Sequence, residues 1–131
     1  MSDSTQLILL AEDDDDLRYL CMQQLKKLGF KAHYARDGKE AIKMVEQFPY
    51  DLILMDVMMP EMDGCEAASA IRAVDARLGR NRTRIIAITA YADRDVCLAA
   101  GMDDFLFKPI LLDDLRNKLT EWMSDSARKT G

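Results

Sequence analysis

The side chains best equipped for chemistry in this chain are carboxylates, and they sit at the ends of apolar stretches. Five acids, Glu12 to Asp16, follow Leu7-Ile8-Leu9-Leu10-Ala11 directly, and Asp56 closes Leu52-Ile53-Leu54-Met55. Two further stretches, Ile85 to Ile88 and Phe105 to Phe107, lead into Thr89-Ala90 and Lys108. If these ends meet, the carboxylates of Glu12, Asp13 and Asp56 repel one another, and a pKa rises unless a cation neutralises them. An oxygen donor set without Cys or His favours a hard ion, and so few protein oxygens favour Mg2+, which keeps several waters, over Ca2+. Such an ion would hold Asp56 ionised and anchor an incoming phosphoryl group. Lys108 would meet a second phosphoryl oxygen as a point charge, and the Thr89 hydroxyl and Ala90 backbone N–H would donate to another.

Each residue alone has a plainer explanation. Glu12-Asp13 could open a helix, Thr89 could be a satisfied strand-end hydroxyl, and Lys108 could be a surface lysine. Their placement at successive strand ends is what sets them apart, because parallel α/β sheets gather chemistry at the carboxyl ends of strands.

The elements that would position them alternate along the chain. Leu7 to Ala11 is apolar on both faces, as a central parallel strand must be. Leu17, Leu20, Cys21, Leu25 and Leu28 then recur at helical spacing up to Gly29. Lys31 to Tyr34 predicts a short edge strand. Asp37 is a candidate N-cap with Glu40 three residues on, for a helix burying Ala41, Met44, Val45 and Phe48 and ending at Pro49. After Asp56 and Gly64, the residues Ala67, Ala68, Ile71, Val74 and Leu78 predict a third helix, and Gly79 to Arg84 a polar link. A short fourth helix, Asp93 to Ala100, is closed by Gly101, and the fifth carries Leu111, Leu112, Leu115, Leu119 and Trp122. Five strands alternating with five helices predict a three-layer α/β sandwich with right-handed crossovers. The expectation is one domain over residues 1–131, with its core at about 7–122 and loose termini.

Composition narrows the function classes. The 131 residues are 49% hydrophobic and 31% charged, with a formal net charge of -5, which disfavours nonspecific nucleic-acid binding. The one basic cluster, Arg77, Arg80, Arg82 and Arg84, lacks aromatics for base stacking and predicts a solvated loop. Cys21, Cys65 and Cys97 are widely spaced, which argues against a zinc site or a disulfide framework and predicts a reducing, cytoplasmic setting. No apolar run approaches the roughly 18 residues of a membrane span. Neither a GxxxxGK[ST] loop nor a GxGxxG fingerprint occurs.

The blocks ILLAEDDDDLR, DLILMDVMMPEMDG, IIAITA and GMDDFLFKPI, in that order, resemble the receiver domain of two-component response regulators, also found in hybrid sensor histidine kinases. The resemblance runs from Leu7 to Trp122 and implies a flavodoxin-like sheet in the order 2-1-3-4-5. It implies that Asp56 takes a phosphoryl group from a kinase phosphohistidine, giving an acyl phosphate. Mg2+ would be ligated by Asp13, Asp56 and the Met58 backbone carbonyl, with Glu12 acting directly or through water. Lys108 would pair with Asp56 and then with the phosphoryl group, and its bond to Pro109 would be cis. Thr89 would be the switch hydroxyl and Phe105 the aromatic that turns inward with it. Met58 and Tyr91 would flank the phosphoryl site, where bulk slows attack by water.

Two departures from the family pattern stand out. Glu12 replaces an Asp found in many members. Thr89 and Lys108 are 19 positions apart, which is short for the family and predicts an abbreviated fourth helix. The implied partners are a sensor histidine kinase or phosphotransfer protein and an unidentified downstream protein, with neither nucleic acid nor membrane insertion. Met1 just ahead of the first strand favours a small independent protein, whereas the wording after Gly64 is closer to the hybrid-kinase type. Catalysis of its own would be limited to accepting and slowly hydrolysing the phosphoryl group. A phosphorylation-independent adaptor is the alternative. A flavodoxin-like cofactor carrier fits poorly, because Glu12 to Asp16 would repel a flavin phosphate.

Overall fold

A computed structural model describes residues 6–90 and 94–123. The strands are β1 (Leu7–Ala11), β2 (Lys31–Ala35), β3 (Leu52–Asp56), β4 (Arg84–Thr89) and β5 (Asp104–Phe107). The helices are α1 (Asp15–Lys27), α2 (Gly38–Gln47), α3 (Gly64–Leu78), α4 (Arg94–Ala99) and α5 (Leu112–Met123). All neighbouring strands pair in parallel, in the order β2-β1-β3-β4-β5.

Alternation along the strands divides the core into two layers. Ile8, Leu10, Leu52, Leu54, Ile86 and Ile88 pack on Cys21 and Leu25 of α1 and on Leu115 and Leu119 of α5. Leu9, Ile53, Met55, Ile85 and Ala87 pack on the opposite side, against α2, α3 and Cys97 of α4. β1 and β3, covered on both faces, are the most apolar strands, and each fully buried Leu or Ile contributes about 1.5–3 kcal/mol.

The helix starts follow capping chemistry. The Asp14 side chain accepts from Leu17 N at 2.9 Å, so α1 begins inside the acidic run and leaves Glu12 and Asp13 ahead of it. Asp37 caps α2 by accepting from Glu40 N, while Glu40 takes the Arg36 N–H, one residue further back than a capping box would. Asp63 and Glu66 form a full capping box on α3. α1 ends at Leu28, followed by Gly29 at φ +89°, the left-handed position glycine favours.

Several apolar residues assigned to buried stripes are exposed. Phe48 follows α2 in extended backbone, so its ring leaves the helical period and meets His33 edge-on. Leu78 is the last residue of α3, and Leu111 precedes α5, with its carbonyl accepting from Leu115 N. Leu17 and Leu20 border an open groove on α1 rather than its buried face. α4 spans six residues, Arg94–Ala99; its expected start at Asp93, like Tyr91, lies outside the described residues. No helix among the described residues is long and apolar enough to cross a membrane.

Candidate functional site

Strand register builds the site. Ala11 pairs with Met55, so the next residues, Glu12 and Asp56, emerge side by side. Asp56 pairs with Ile88 one step before Thr89, and Thr89 pairs with Phe107 one step before Lys108. The Lys108 N–H donates to the Thr89 carbonyl at 2.8 Å, extending the ladder to the lysine, and the Lys108-Pro109 bond is cis. Gly64 lets the loop after β3 fold back over the strand end. A Cβ there would collide with the Asp56 carbonyl oxygen and lie 2.9 Å from Val57 Cα.

Glu12, Asp13 and Asp56 each offer an oxygen within 4.8 Å of the others. Lys108 Nζ lies 3.3 Å from Asp56 Oδ1 and 3.5 Å from Glu12 Oε1. Met58 N donates to Asp56 Oδ1 at 3.1 Å, and Asp14 N to Glu12 Oε2 at 3.2 Å. Among the described residues, Asp56 Oδ2 is buried with no hydrogen-bond partner. Burial, and then the neighbouring Asp56 carboxylate, push Glu12 up to about 8, against the opposing pull of Asp14 N–H and Lys108. Burial works against the Lys108 ammonium, but Asp56 and Glu12 outweigh it and raise its pKa.

A buried acceptor without a donor, in a cluster with three acids and one lysine, has the donor chemistry of a hard-cation site. Mg2+ fits it, with Glu12, Asp13 and Asp56 as the residues that would hold the ion. Exposed Asp13 provides the open side of the cluster. Thr89 is buried at the end of β4, and Ala90 is exposed directly after it. Phe105 pairs with Ala87, packs on the α3 side of the sheet and meets Phe107 edge-on at 5.0 Å. Met58 is 63% exposed beside Asp56, which excludes core packing as its role.

Other polar residues are tied down rather than solvated. Asp103 pairs with Arg72 at 3.1 Å and Arg82 at 2.8 Å. Asp104 accepts from Lys118 at 2.6 Å and from Trp122 Nε1 at 2.8 Å, binding β5 to α5. Within the basic cluster, Arg80 donates to the Val45 carbonyl and Arg77 pairs with Glu46. Arg18, 9% exposed, also escaped the sequence reading. Its signal was spacing, since Arg18, Cys21 and Leu25 share one face of α1.

The response regulator receiver domain family matches this chain over residues 8–120. The hybrid signal transduction protein dokA of Dictyostelium discoideum is 38% identical over 122 residues, covering 93% of this chain. The transcription factor SKN7 of Saccharomyces cerevisiae is 40% identical over 121 residues, covering 90%. The chain spans 7% and 19% of the lengths of these two relatives. Among solved structures, the receiver domain of sensor histidine kinase PA1611 from Pseudomonas aeruginosa PAO1 has a magnesium ion coordinated in its active-site cleft. It superposes with a TM-score of 0.80 at 36% identity, over 92% of this chain and 98% of that one. The receiver domain of Ssk1 from Saccharomyces cerevisiae, co-crystallised with the histidine phosphotransfer protein Ypd1, gives a TM-score of 0.84 at 30% identity, over 89% and 88%. With sequence, sheet order and strand-end acids all in agreement, the chain belongs to the response regulator receiver domain family.

Proposed function

We propose that Asp56 accepts a phosphoryl group from a phosphohistidine on a sensor histidine kinase or phosphotransfer protein, and that the modified chain changes which protein it binds. The observation that carries this reading is the division of labour on Asp56. Oδ1 is held by Met58 N and Lys108, whereas buried Oδ2 has no partner among the described residues. In the transfer, a carboxylate oxygen forms a bond to phosphorus as the phosphorus–nitrogen bond breaks. The product is an acyl phosphate, and the bonding pair and a proton from solvent restore the donor imidazole. Bound Mg2+ supplies charge neutralisation for the carboxylates and the phosphoryl oxygens.

The chain's own residues do the rest. Lys108 neutralises Asp56 before transfer and would neutralise a phosphoryl oxygen after it, and the Ala90 N–H and Thr89 hydroxyl would donate to another. Met58, at the rim, would offer its backbone carbonyl to the ion and bulk that slows hydrolysis. Thr89 and Phe105 lie on the same face of the sheet, so a Thr89 hydroxyl drawn toward the phosphoryl group vacates space for the Phe105 ring. The groove lined by Leu17, Leu20, Pro109 and Ile110 runs up to Glu12 and Lys108, and suits an apolar contact with the phosphodonor. We take residues 1–131 as one receiver domain in a cytoplasmic setting, a reading supported by three cysteine thiols that form no disulfide.

Mass spectrometry after exposure to a small-molecule phosphodonor with Mg2+ tests the chemistry. The expected result is one added phosphoryl group, lost in Asp56→Asn. Absence of uptake by the unmodified chain would leave the adaptor reading in its place.

A further inference from the structure

The segment Glu12 to Asp14 belongs to neither strand nor helix, yet it holds two of the three clustered acids. Lys108 meets the Glu12 side chain, whereas Arg18 grips the backbone of the segment. Arg18 Nη1 donates to the Glu12 backbone carbonyl at 3.0 Å, and Nη2 pairs with Asp15 Oδ1. Its guanidinium lies over the Tyr34 ring of β2, 5.1 Å from the centroid. A buried guanidinium is expensive unless its donors are met, and here the partners span the β1–α1 connection, α1 and β2.

We infer that Arg18 is a positioning residue for cation binding: by holding the Glu12 carbonyl between α1 and Tyr34, it sets the direction in which the Glu12 and Asp13 carboxylates leave the end of β1. The other holds on this segment act at different atoms. Glu12 N donates to the Ala35 carbonyl at 3.1 Å, and Asp14 N reaches the Glu12 side chain. Neither fixes the peptide plane between Glu12 and Asp13, which the Arg18 contact does. Residues that orient metal ligands typically change affinity about 10–100-fold when removed.

The inference rests on the cation site proposed above, so the experiment separates the two. Mg2+ is titrated into 15N-labelled protein, and the apparent Kd is read from amide shifts of the folded species. The variants are Arg18→Met, Arg18→Lys, Asp56→Asn and Arg116→Met, the last removing an exposed arginine of α5 that pairs with Asp113. Arg18→Met is expected to raise the Kd about tenfold, with Arg116→Met unchanged. Arg18→Lys should recover only part, because an ammonium can reach Glu12 but cannot also fork to Asp15 and stack on Tyr34. In the metal-free protein, amide exchange at Asp14 should quicken in Arg18→Met. A Kd within about twofold of the unmodified protein in Arg18→Met, or complete recovery in Arg18→Lys, overturns the positioning role, the latter by showing that charge alone matters. Mg2+ binding that is absent from the unmodified protein, or indifferent to Asp56→Asn, would instead bring down the site reading and this inference with it. If Arg18→Met does not fold, Arg18→Lys and the amide exchange at Asp14 decide.

Discussion

Two polar clusters sit at opposite ends of the same sheet. At the amino ends of β4 and β5, Asp75 and Asp103 face Arg72 and Arg82, and every carboxylate oxygen is met. Asp75 accepts from Thr83 Oγ1 at 2.9 Å, Thr83 N at 3.0 Å and Arg72 at 3.3 Å. Asp103 accepts from Arg82, from Arg72 and from Ile85 N. At the carboxyl ends, Glu12, Asp13 and Asp56 cluster with Lys108 against two of them, and one buried oxygen has no donor among the described residues. The balanced cluster joins α3 to the loops entering two strands, including the Gly101 carbonyl that Arg72 holds at 2.7 Å. Burial alone therefore does not distinguish a structural acid from a reactive one; the completeness of its partners does.

The largest expected effect breaks the balanced end. Asp75→Ala strips the Thr83 N–H and hydroxyl of their acceptor and Arg72 of one of its two carboxylates, and should cost about 1–3 kcal/mol of stability. The folded fraction should still take up a phosphoryl group. Asp56→Asn should do the reverse, abolishing uptake while raising the stability of the metal-free protein by about 1 kcal/mol as one crowded charge is removed. Urea unfolding of both variants, without metal, compares them directly. Equal losses would show that the two clusters are built for the same purpose.

A smaller effect concerns pH. Glu12 ordinarily titrates at 4.5 and is pushed up to about 8, first by burial and then by Asp56. Between those values the folded chain holds a proton that the unfolded chain has released. The associated stability is full below about 4.5 and is lost as pH rises through about 8. The melting temperature of metal-free protein should therefore fall across that window, and Glu12→Gln should flatten the fall. Mg2+ needs the ionised carboxylate, so its apparent affinity should rise over the same range, and a chelator should restore the original slope. A flat profile in metal-free protein would mean that Lys108 already balances the acids.

The sheet and the strand-end residues were legible because both follow from local pattern. β1, β3 and β4 are continuous apolar runs, and parallel pairing carries whatever ends them to one edge. The balanced cluster was not legible, because the pairings that close it, Arg72 and Arg82 with Asp103, join residues far apart in the chain. Arg72 and Asp103 meet only once α3 lies beside the turn before β5. Asp103 and Asp104 look alike in sequence, yet one faces two arginines and the other faces Lys118 and Trp122. Phe48, Leu78 and Leu111 misled for a different reason. Helical period stops applying at helix ends, and each lies at or beyond one.

The smallest expected effect marks where the balanced cluster stops. Arg77 and Glu46 pair at 2.9 Å between α3 and α2, close in sequence to Asp75, but their side chains are 58% and 45% exposed. Water screens the attraction, and holding two long side chains together opposes it, so Arg77→Ala should change stability by no more than about 0.5 kcal/mol. Differential scanning calorimetry at low and high salt would check this, since what remains of the contribution should fade as salt rises. A loss above about 1 kcal/mol that salt does not reduce would mean that the helix pair belongs to the network. The line between the balanced cluster and the surface would then have to be drawn beyond α2, with Arg72 as its centre rather than its edge.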